Sequence, residues 1–359
     1  MMKEKLERMT DQVKKVDLDK ISFNLLEAVK QLAVYDTKIK DSSIEKFYLP
    51  RLEQIEALSS MKIEGTQTTM SDVIASDVFP DSKNSDLLEV YNHNNALLRG
   101  ARSVKVDGGF TNENIKDLHK TMLTGIRHKN KNINLGEYKS EDNKIVSETK
   151  TVIYYPPHSY EVPDYMNDLI LFMNSANYVY HPLVNAALLH AQFESIHPFD
   201  DGNGRVGRML IPLYLYKTDV ISAPMFYISE AIEKDKIQYY RNLTNSRTLD
   251  MNLWINYFLQ KCIDQAKKHI KYFQDLETIH KEVSKLIKEN ISSQKNMELI
   301  DALFNYPQLT AKKLSEEMNV SKTQALRYLK ALEGLGILYP DQKIRNTSYY
   351  FEAYLKLLI

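Results

Sequence analysis

Apolar residues along the chain recur at three- and four-residue spacing, the signature of helices that bury one face. Residues 17–35 and 45–62 show it, as do SDLLEVYNHNNALLRGARS (85–103) and TNENIKDLHKTMLTGI (111–126). Thr111 is the predicted N-cap of the last of these, just after a Gly-Gly pair. Pro50 is expected in the first turn of its helix, where a missing N–H costs little. The rhythm breaks over 133–157. There KIV and TVIYY are short β-leaning runs around a polar centre, which predict a hairpin ending at Pro156 and Pro157. Helical spacing resumes over 162–176, near 229–246 and over 252–273. The stretch KEVSKLIKENISSQKN (281–296) is polar, the tail of a long helix and a linker. Beyond it, MELIDALFNY, TAKKLSEEMN and SKTQALRYLKALEGLGIL predict three short helices, and ILYPDQKIRNTSYYF a small hairpin. The expected fold class is mainly α.

One polar cluster, IHPFDDGNGRVGR (196–208), interrupts two apolar runs. Before it, Leu183, Val184, Ala187, Leu188, Phe193 and Ile196 suit one side of a helix. Pro198 ends that helix near His197, and DGNG is a turn signal. From Arg205 the pattern is helical again, with Val206, Met209, Leu210 and Leu213 apolar and Pro212 a candidate kink. The start of a helix presents unpaired amides and a positive dipole end. Gly202 and Gly204 let backbone approach a ligand closely. Arg205 and Arg208, three apart, suit a polyphosphate better than a single carboxylate. Asp201 is a hard oxygen ligand of the kind that bridges Mg²⁺ to substrate phosphates. His197, with an ordinary pKa of about 6.5, suits proton acceptance near neutral pH. Each feature alone is commonly structural. Base, metal ligand, anion hole and two cations within twelve residues make a site.

Composition narrows the partners. The 359 residues carry 47 Lys and Arg against 47 Asp and Glu, so no general affinity for polyanions is expected, although a local basic patch is not excluded. A single cysteine, Cys262, rules out an intrachain disulfide and any cysteine-based metal site. The opening MMKEKLERMTDQVKK is charged and lacks an apolar h-region, and no apolar run reaches transmembrane length. These features lead to the expectation of a cytoplasmic protein with no membrane partner.

HPFDDGNGRVGR resembles the signature of the Fic family, HxFx(D/E)GNGRxxR, at every fixed position. HPLVNAALLHAQFESIHPF, GEYK, YYPP, VPDYMNDL and WINYFL are similar to family segments in the same order, over roughly residues 20–270. The resemblance implies a helical core with a β-hairpin flap and, for most members, transfer of AMP from ATP to a protein hydroxyl. By that resemblance His197 is the general base toward a Ser, Thr or Tyr hydroxyl and Asp201 the Mg²⁺ ligand. Gly202, Asn203 and Gly204 are the anion hole, and the signature as a whole, Val206 and Gly207 included, binds ATP. Arg205 and Arg208 hold the outer phosphates. The family's phosphotransferase branch has lysine at the position of Gly204, so γ-phosphate transfer is not implied here. The flap, expected around 141–152, departs from the family's R…VWIG pattern and reads KSEDNKIV (139–146).

SMKIEG (60–65) matches the family's inhibitory motif, [S/T]xxxE[G/N]. Gly65 is a natural helix C-cap, which puts Glu64 in a last turn whose dipole disfavours an anion by about 0.3–1 kcal/mol. The resemblance pairs Glu64 with Arg208 and implies inhibition in cis; in some relatives the same glutamate also supports removal of AMP. Ser60, one turn earlier, is expected to orient Glu64 by hydrogen bonding. DKIQYYRNL (235–243) resembles the segment lining the base pocket, with Tyr239 or Tyr240 against adenine.

Residues 310–338 look like a winged helix-turn-helix. Leu314, Met318, Ala325, Tyr328, Leu329 and Leu332 are its expected core, and Val320 occupies the turn. Ser321 caps the third helix, and Lys322, Arg327, Lys330, Lys343 and Arg345 supply positive charge. The expected domains are an N-terminal helical region (1–110) with an inhibitory helix at about 45–65, a Fic catalytic core (111–275), a linker helix (276–296) and the winged helix (297–359). Besides ATP and target proteins, a homodimer and DNA bound by the C-terminal domain are candidate partners. The rival to an enzyme is a nucleotide-sensing DNA-binding regulator, although a sensor needs no base at His197.

Overall fold

The computed structural model describes residues 5–79, 84–106, 108–126, 133–146, 151–176, 179–343 and 346–359. Among them the elements follow in order. The first helices are α1 (Met9–Lys14), α2 (Leu18–Lys40), α3 (Glu45–Ile63), α4 (Met70–Val78), α5 (Ser85–Val106) and α6 (Asn112–Leu123). Two strands come next, β1 (Ile145–Val146) and β2 (Val152–Tyr154), with a single 3₁₀ turn at Ser159–Glu161. Then come α7 (Val162–Asn174), α8 (Pro182–Ile196), α9 (Asn203–Lys217), α10 (Ser229–Glu233), α11 (Lys236–Thr248) and α12 (Met251–Asn290). The last elements are α13 (Asn296–Asn305), β3 (Gln308–Leu309), α14 (Ala311–Met318), α15 (Lys322–Gly334), β4 (Tyr339–Pro340), β5 (Tyr349–Tyr350) and α16 (Glu352–Leu358). The chain is mainly helical, as its periodicity requires. No helix among the described residues is long and apolar enough to cross a membrane.

Two compact units divide the chain, with boundaries inside α3, α5 and α12. The larger comprises Met1–Asp41, Glu56–Thr66 and Leu88–Lys267. Its centre is α8, in which every residue from Leu183 to Ile196 is buried. The spacing predicts one apolar side; the structure covers all of them, because α7, α9, α11, α1 and α2 pack around it. Several of its buried polar residues are paired. Ser195 Oγ donates to Ala191 O at 2.7 Å, and Gln192 Nε2 to Glu7 O at 2.8 Å. The Trp254 indole donates to Ala187 O at 2.8 Å, which ties the start of α12 to the middle of α8.

Two local features depart from the sequence reading, and a third agrees with the expected long helix and its polar tail. Pro50 is the sixth residue of α3, one turn further in than expected. The helix expected near 229–246 is two, α10 and α11, separated at Lys234–Asp235, where Asp235 leaves helical geometry (φ −134°, ψ 38°). The stretches 252–273 and 281–290 form one helix of 40 residues, α12. The expected hairpin is present: β1 and β2 pair antiparallel, Ile145 opposite Tyr154 and Val146 opposite Val152, with a register shift between the pairs. Residues 147–150 of the expected flap lie outside the described residues.

The second unit comprises Ser42–Ile55, Gln67–Leu87 and Lys268–Ile359. A three-stranded sheet in the order β3-β5-β4 accompanies α13, α14 and α15. Leu314, Met318, Ala325, Tyr328, Leu329 and Leu332 are buried, and Ser321 Oγ caps α15 by accepting from Gln324 N at 3.2 Å. Asn319 makes the turn between α14 and α15 in the left-handed region (φ 48°). Lys322, Arg327, Lys330 and Lys343 are exposed, whereas Arg345 lies outside the described residues. The short closing helix α16 was not legible in the pattern.

Candidate active site

α8 stops where the sequence says it must. His197, its C-cap, turns into the left-handed region (φ 48°, ψ 60°), and Pro198 follows. Asn203 then closes the loop on itself: its side chain accepts from Phe199 N and donates to Phe199 O, each at 2.8 Å. Gly202 enters α9 at φ 78°. A side chain there is doubly excluded, by the backbone angle and by Leu123 Cδ1, 3.1 Å from where a Cβ would stand. The first intrahelical bond of α9 is Val206 N to Gly202 O, 3.0 Å. The amides of Asn203, Gly204 and Arg205 therefore precede the ladder, which is what an anion hole needs.

The expected residues meet to different degrees. Arg208, 1% exposed, donates from Nε to Ser60 Oγ (2.9 Å) and from Nη2 to Ser60 O (2.9 Å) and to Glu64 Oε1 (2.8 Å). Ser60 thus binds Arg208 directly instead of orienting Glu64, because its hydroxyl and carbonyl both face the guanidinium. Burial alone would weaken the charge on Arg208, but Glu64, Tyr239 and Glu194 together outweigh it and hold the group protonated. Gly65 terminates α3 at φ 98°. Thr66 N bonds Met61 O at 3.2 Å and Gly65 N bonds Lys62 O at 3.0 Å, a Schellman ending that fixes where Glu64 points. It points at Gly204, where a Cβ would overlap Glu64 Oε1.

Arg205 is buried and turned away from that group. Its guanidinium pairs with Glu89 and, at 3.0 Å, with Asp201 Oδ1. Val206 is a core residue, fully buried, with its amide already in the helix ladder. Gly207 is required for another reason: a Cβ would stand 2.6 Å from Glu194 Oε1. Tyr239 is 1% exposed and bonds His190 Nε2 through its hydroxyl at 2.9 Å. Tyr240 is partly exposed, with its hydroxyl 3.4 Å from Ile63 O. Both tyrosines, with His197, Gly204, Arg208 and Glu64, line a cavity of about 630 Å³. That volume suits a nucleotide-sized ligand.

Other residues of the cavity had no signal in the sequence. Glu194, buried in α8, has its carboxyl pushed up to about 7 by burial, and Oε1 lacks a hydrogen-bond partner. Arg247 reaches in from the end of α11; its Nε donates to Ser195 Oγ at 2.8 Å and its guanidinium lies 4.4 Å over the Tyr154 ring of β2. Glu194 stands three residues before His197, one helical turn, and that spacing is the one clue available in advance. His197 itself is held down to about 4, by burial first and then by the charges of Lys139 and Arg247. Its Nδ1 is buried with no side-chain partner, and the main chain of Glu194 lies against the ring.

The donor set of Asp201 leaves room for a metal ion. Oδ1 accepts from Gly202 N (2.7 Å) and Arg205 Nη2 (3.0 Å), while the side chain is 47% exposed. One oxygen is thereby fixed and the carboxylate still faces out, which fits Mg²⁺ completed by substrate phosphates and water. No group of three His, Cys, Asp or Glu among the described residues could hold a metal ion unaided.

A helical core with a loop and helix N-terminus built for polyphosphate defines the class, and comparison with known proteins gives the family. The Fic/DOC family model matches residues 109–215, and the family's N-terminal model residues 23–102. The chain belongs to the Fic family. It is similar to a protein adenylyltransferase Fic of Aedes aegypti, 32% identical over 113 residues, 28% of this chain and 23% of that one. A Nematostella vectensis protein of the same name is 26% identical over 181 residues, 48% of this chain and 35% of that one. The matched stretches thus span about a quarter to a third of these relatives' length. Among solved structures, a Fic family protein of Desulfovibrio desulfuricans shares the fold with TM-score 0.61 and 19% identity, covering 94% of this chain and 97% of that one. A Fic domain containing signaling protein of Bacteroides thetaiotaomicron does so with TM-score 0.57 and 24% identity, covering 69% and 97%.

Proposed function

We propose that this chain is a protein adenylyltransferase that moves AMP from ATP to a Ser, Thr or Tyr hydroxyl of target proteins and of itself, and that Glu64 holds it off. The observation that carries the reading is the convergence of His197, Gly204 and Arg208 on one cavity, at the start of a helix whose first amides are uncommitted. The target oxygen attacks the α-phosphorus as His197 takes its proton. A P–O bond forms, the bridging bond to the β-phosphate breaks, and pyrophosphate leaves. With Nδ1 buried, Nε2 is the nitrogen that receives the proton. Positioning and fixed positive charge supply most of the acceleration, and general-base help adds about 10²–10⁴-fold. Asp201 would hold Mg²⁺, which when bound neutralises charge on the phosphates.

Glu64 inhibits by occupying two places. It neutralises Arg208, the cation for the outer phosphates, and it fills the space over Gly204. ATP bound beside it lacks a γ-phosphate partner and sits unproductively. Incubating Glu64→Gly protein with each nucleotide and Mg²⁺ should give a mass gain equal to AMP with ATP, well above wild type. The gain should vanish in Glu64→Gly/His197→Ala. Absence of any gain in Glu64→Gly would remove the inhibitory assignment. Loss of 5′-AMP from pre-modified protein in wild type but not in Glu64→Gly would add the reverse reaction.

A further inference from the structure

His197 poses a problem that the family signature does not solve. A histidine base is commonly aimed by a side chain on its second ring nitrogen, yet Nδ1 of His197 is buried with no side-chain partner, and only the main chain of Glu194 bears on the ring. Its backbone occupies the left-handed region (φ 48°, ψ 60°), which non-glycine residues hold only where their surroundings over-determine it. The direction of the ring is therefore set through the main chain.

The surroundings that fix it come from the segment before β1. Asn143 Nδ2 donates to His197 O and to Phe199 O, each at 3.2 Å. Between them, Pro198 O accepts from Lys139 N at 2.8 Å. The amide of Asn143 can face only one way. Lys139 Nζ, a pure donor on a residue 2% exposed, gives a 2.6 Å bond to Asn143 Oδ1, so Nδ2 must face the carbonyls. Three consecutive carbonyls of the loop, 197 to 199, are thus held by two residues of one short segment.

We propose that Asn143, oriented by Lys139, is a positioning residue that sets the direction of the His197 ring by gripping the loop carbonyls on either side of Pro198. Its consequence for catalysis rests on the adenylyl-transfer reading above; its consequence for His197 does not. Asn143→Asp keeps the shape and an ion pair with Lys139 but removes the donor, and Asn143→Ala removes the side chain. In a Glu64→Gly background, AMP turnover should fall on the order of ten- to a hundredfold in both variants. The ATP dissociation constant should stay within about twofold, because Asn143 touches none of the phosphate-binding groups. In full-length protein labelled with ¹³C at histidine Cε1, the His197 signal should move while those of His93 and His190 stay. A His197 signal unchanged in both variants overturns the proposal, as does turnover within about twofold of the parent. If the parent transfers no nucleotide at all, the adenylyl-transfer reading fails, and the histidine signal alone decides the role of Asn143.

Discussion

At the scale of single residues, burial disfavours the charge on both His197 and Arg208, and at Arg208 neighbouring anionic groups offset it. A histidine held down to about 4 stays deprotonated through neutral pH and well into the acid range. The acid limb of kcat/KM for ATP, measured in Glu64→Gly protein, should therefore fall with an apparent pKa clearly below 6.5. A limb at 6.5 or above would mean that His197 is not the base that the profile reports. Against burial, the charge on Arg208 is supported first by the Glu64 carboxylate, while Ser60 accepts from its Nε. Ser60→Ala removes the acceptor of a buried Nε–H, which costs about 1–3 kcal/mol of stability. Thermal denaturation should show that loss with ATP absent. Ser60 also shows what residue-level reading misses: the motif named both Ser60 and Glu64, but sequence spacing suggested that the serine serves the glutamate, whereas both serve Arg208.

At the scale of elements, the proposed inhibition runs through the end of α3. Gly65 sits at φ 98° with nothing within 4 Å of where a Cβ would be, so Gly65→Ala is penalised by backbone conformation alone. That penalty is about 1–2 kcal/mol, and it falls on the Schellman ending that aims Glu64. Basal self-modification with labelled ATP should rise above wild type in Gly65→Ala, though less than in Glu64→Gly. An unchanged rate would mean that Glu64 finds Arg208 without help from the cap. Elements were also where sequence and structure agreed best. α2, α5, α6, α7 and the hairpin follow from periodicity and turn residues, since those signals are local. α8 was half legible: its apolar side was plain, but burial of the other side depends on helices distant in the chain. The same distance hid Arg247, Glu89 and Asn143, whereas Glu194 stands beside the signature and only its burial was hidden. Each acts on the signature through folding, and only the contiguous loop from His197 to Arg208 could announce itself.

At the scale of the whole molecule, the larger unit holds two sets of buried titratable groups that pull against each other. His93, His190 and His197 are held down to about 4, 3 and 4, each first by burial. Between those values and 6.5 the unfolded chain binds more protons, so stability is lost as pH falls through that range. Glu56 and Glu194 are pushed up to about 7, again first by burial. Between 4.5 and 7 the folded chain binds more protons, so their contribution is lost as pH rises. Over about pH 4.5 to 6.5 the two slopes oppose. Glu194→Gln removes one carboxyl and should tilt the balance: its melting temperature should fall more steeply than wild type on acidification from 6.5 to 5. A parallel curve would show that Glu194 ionises in the folded protein as it does when unfolded.

Gly204 has a consequence for how such a chain can escape control. The space above it is filled by Glu64, and in the proposed mechanism the phosphates need the same space. Any side chain placed there by mutation would evict the glutamate and obstruct the nucleotide in one step. A selection for unrestrained variants from a random library should therefore leave the signature loop untouched. Its survivors should gather well upstream of that loop, around residues 60–65, where release and competence are separable.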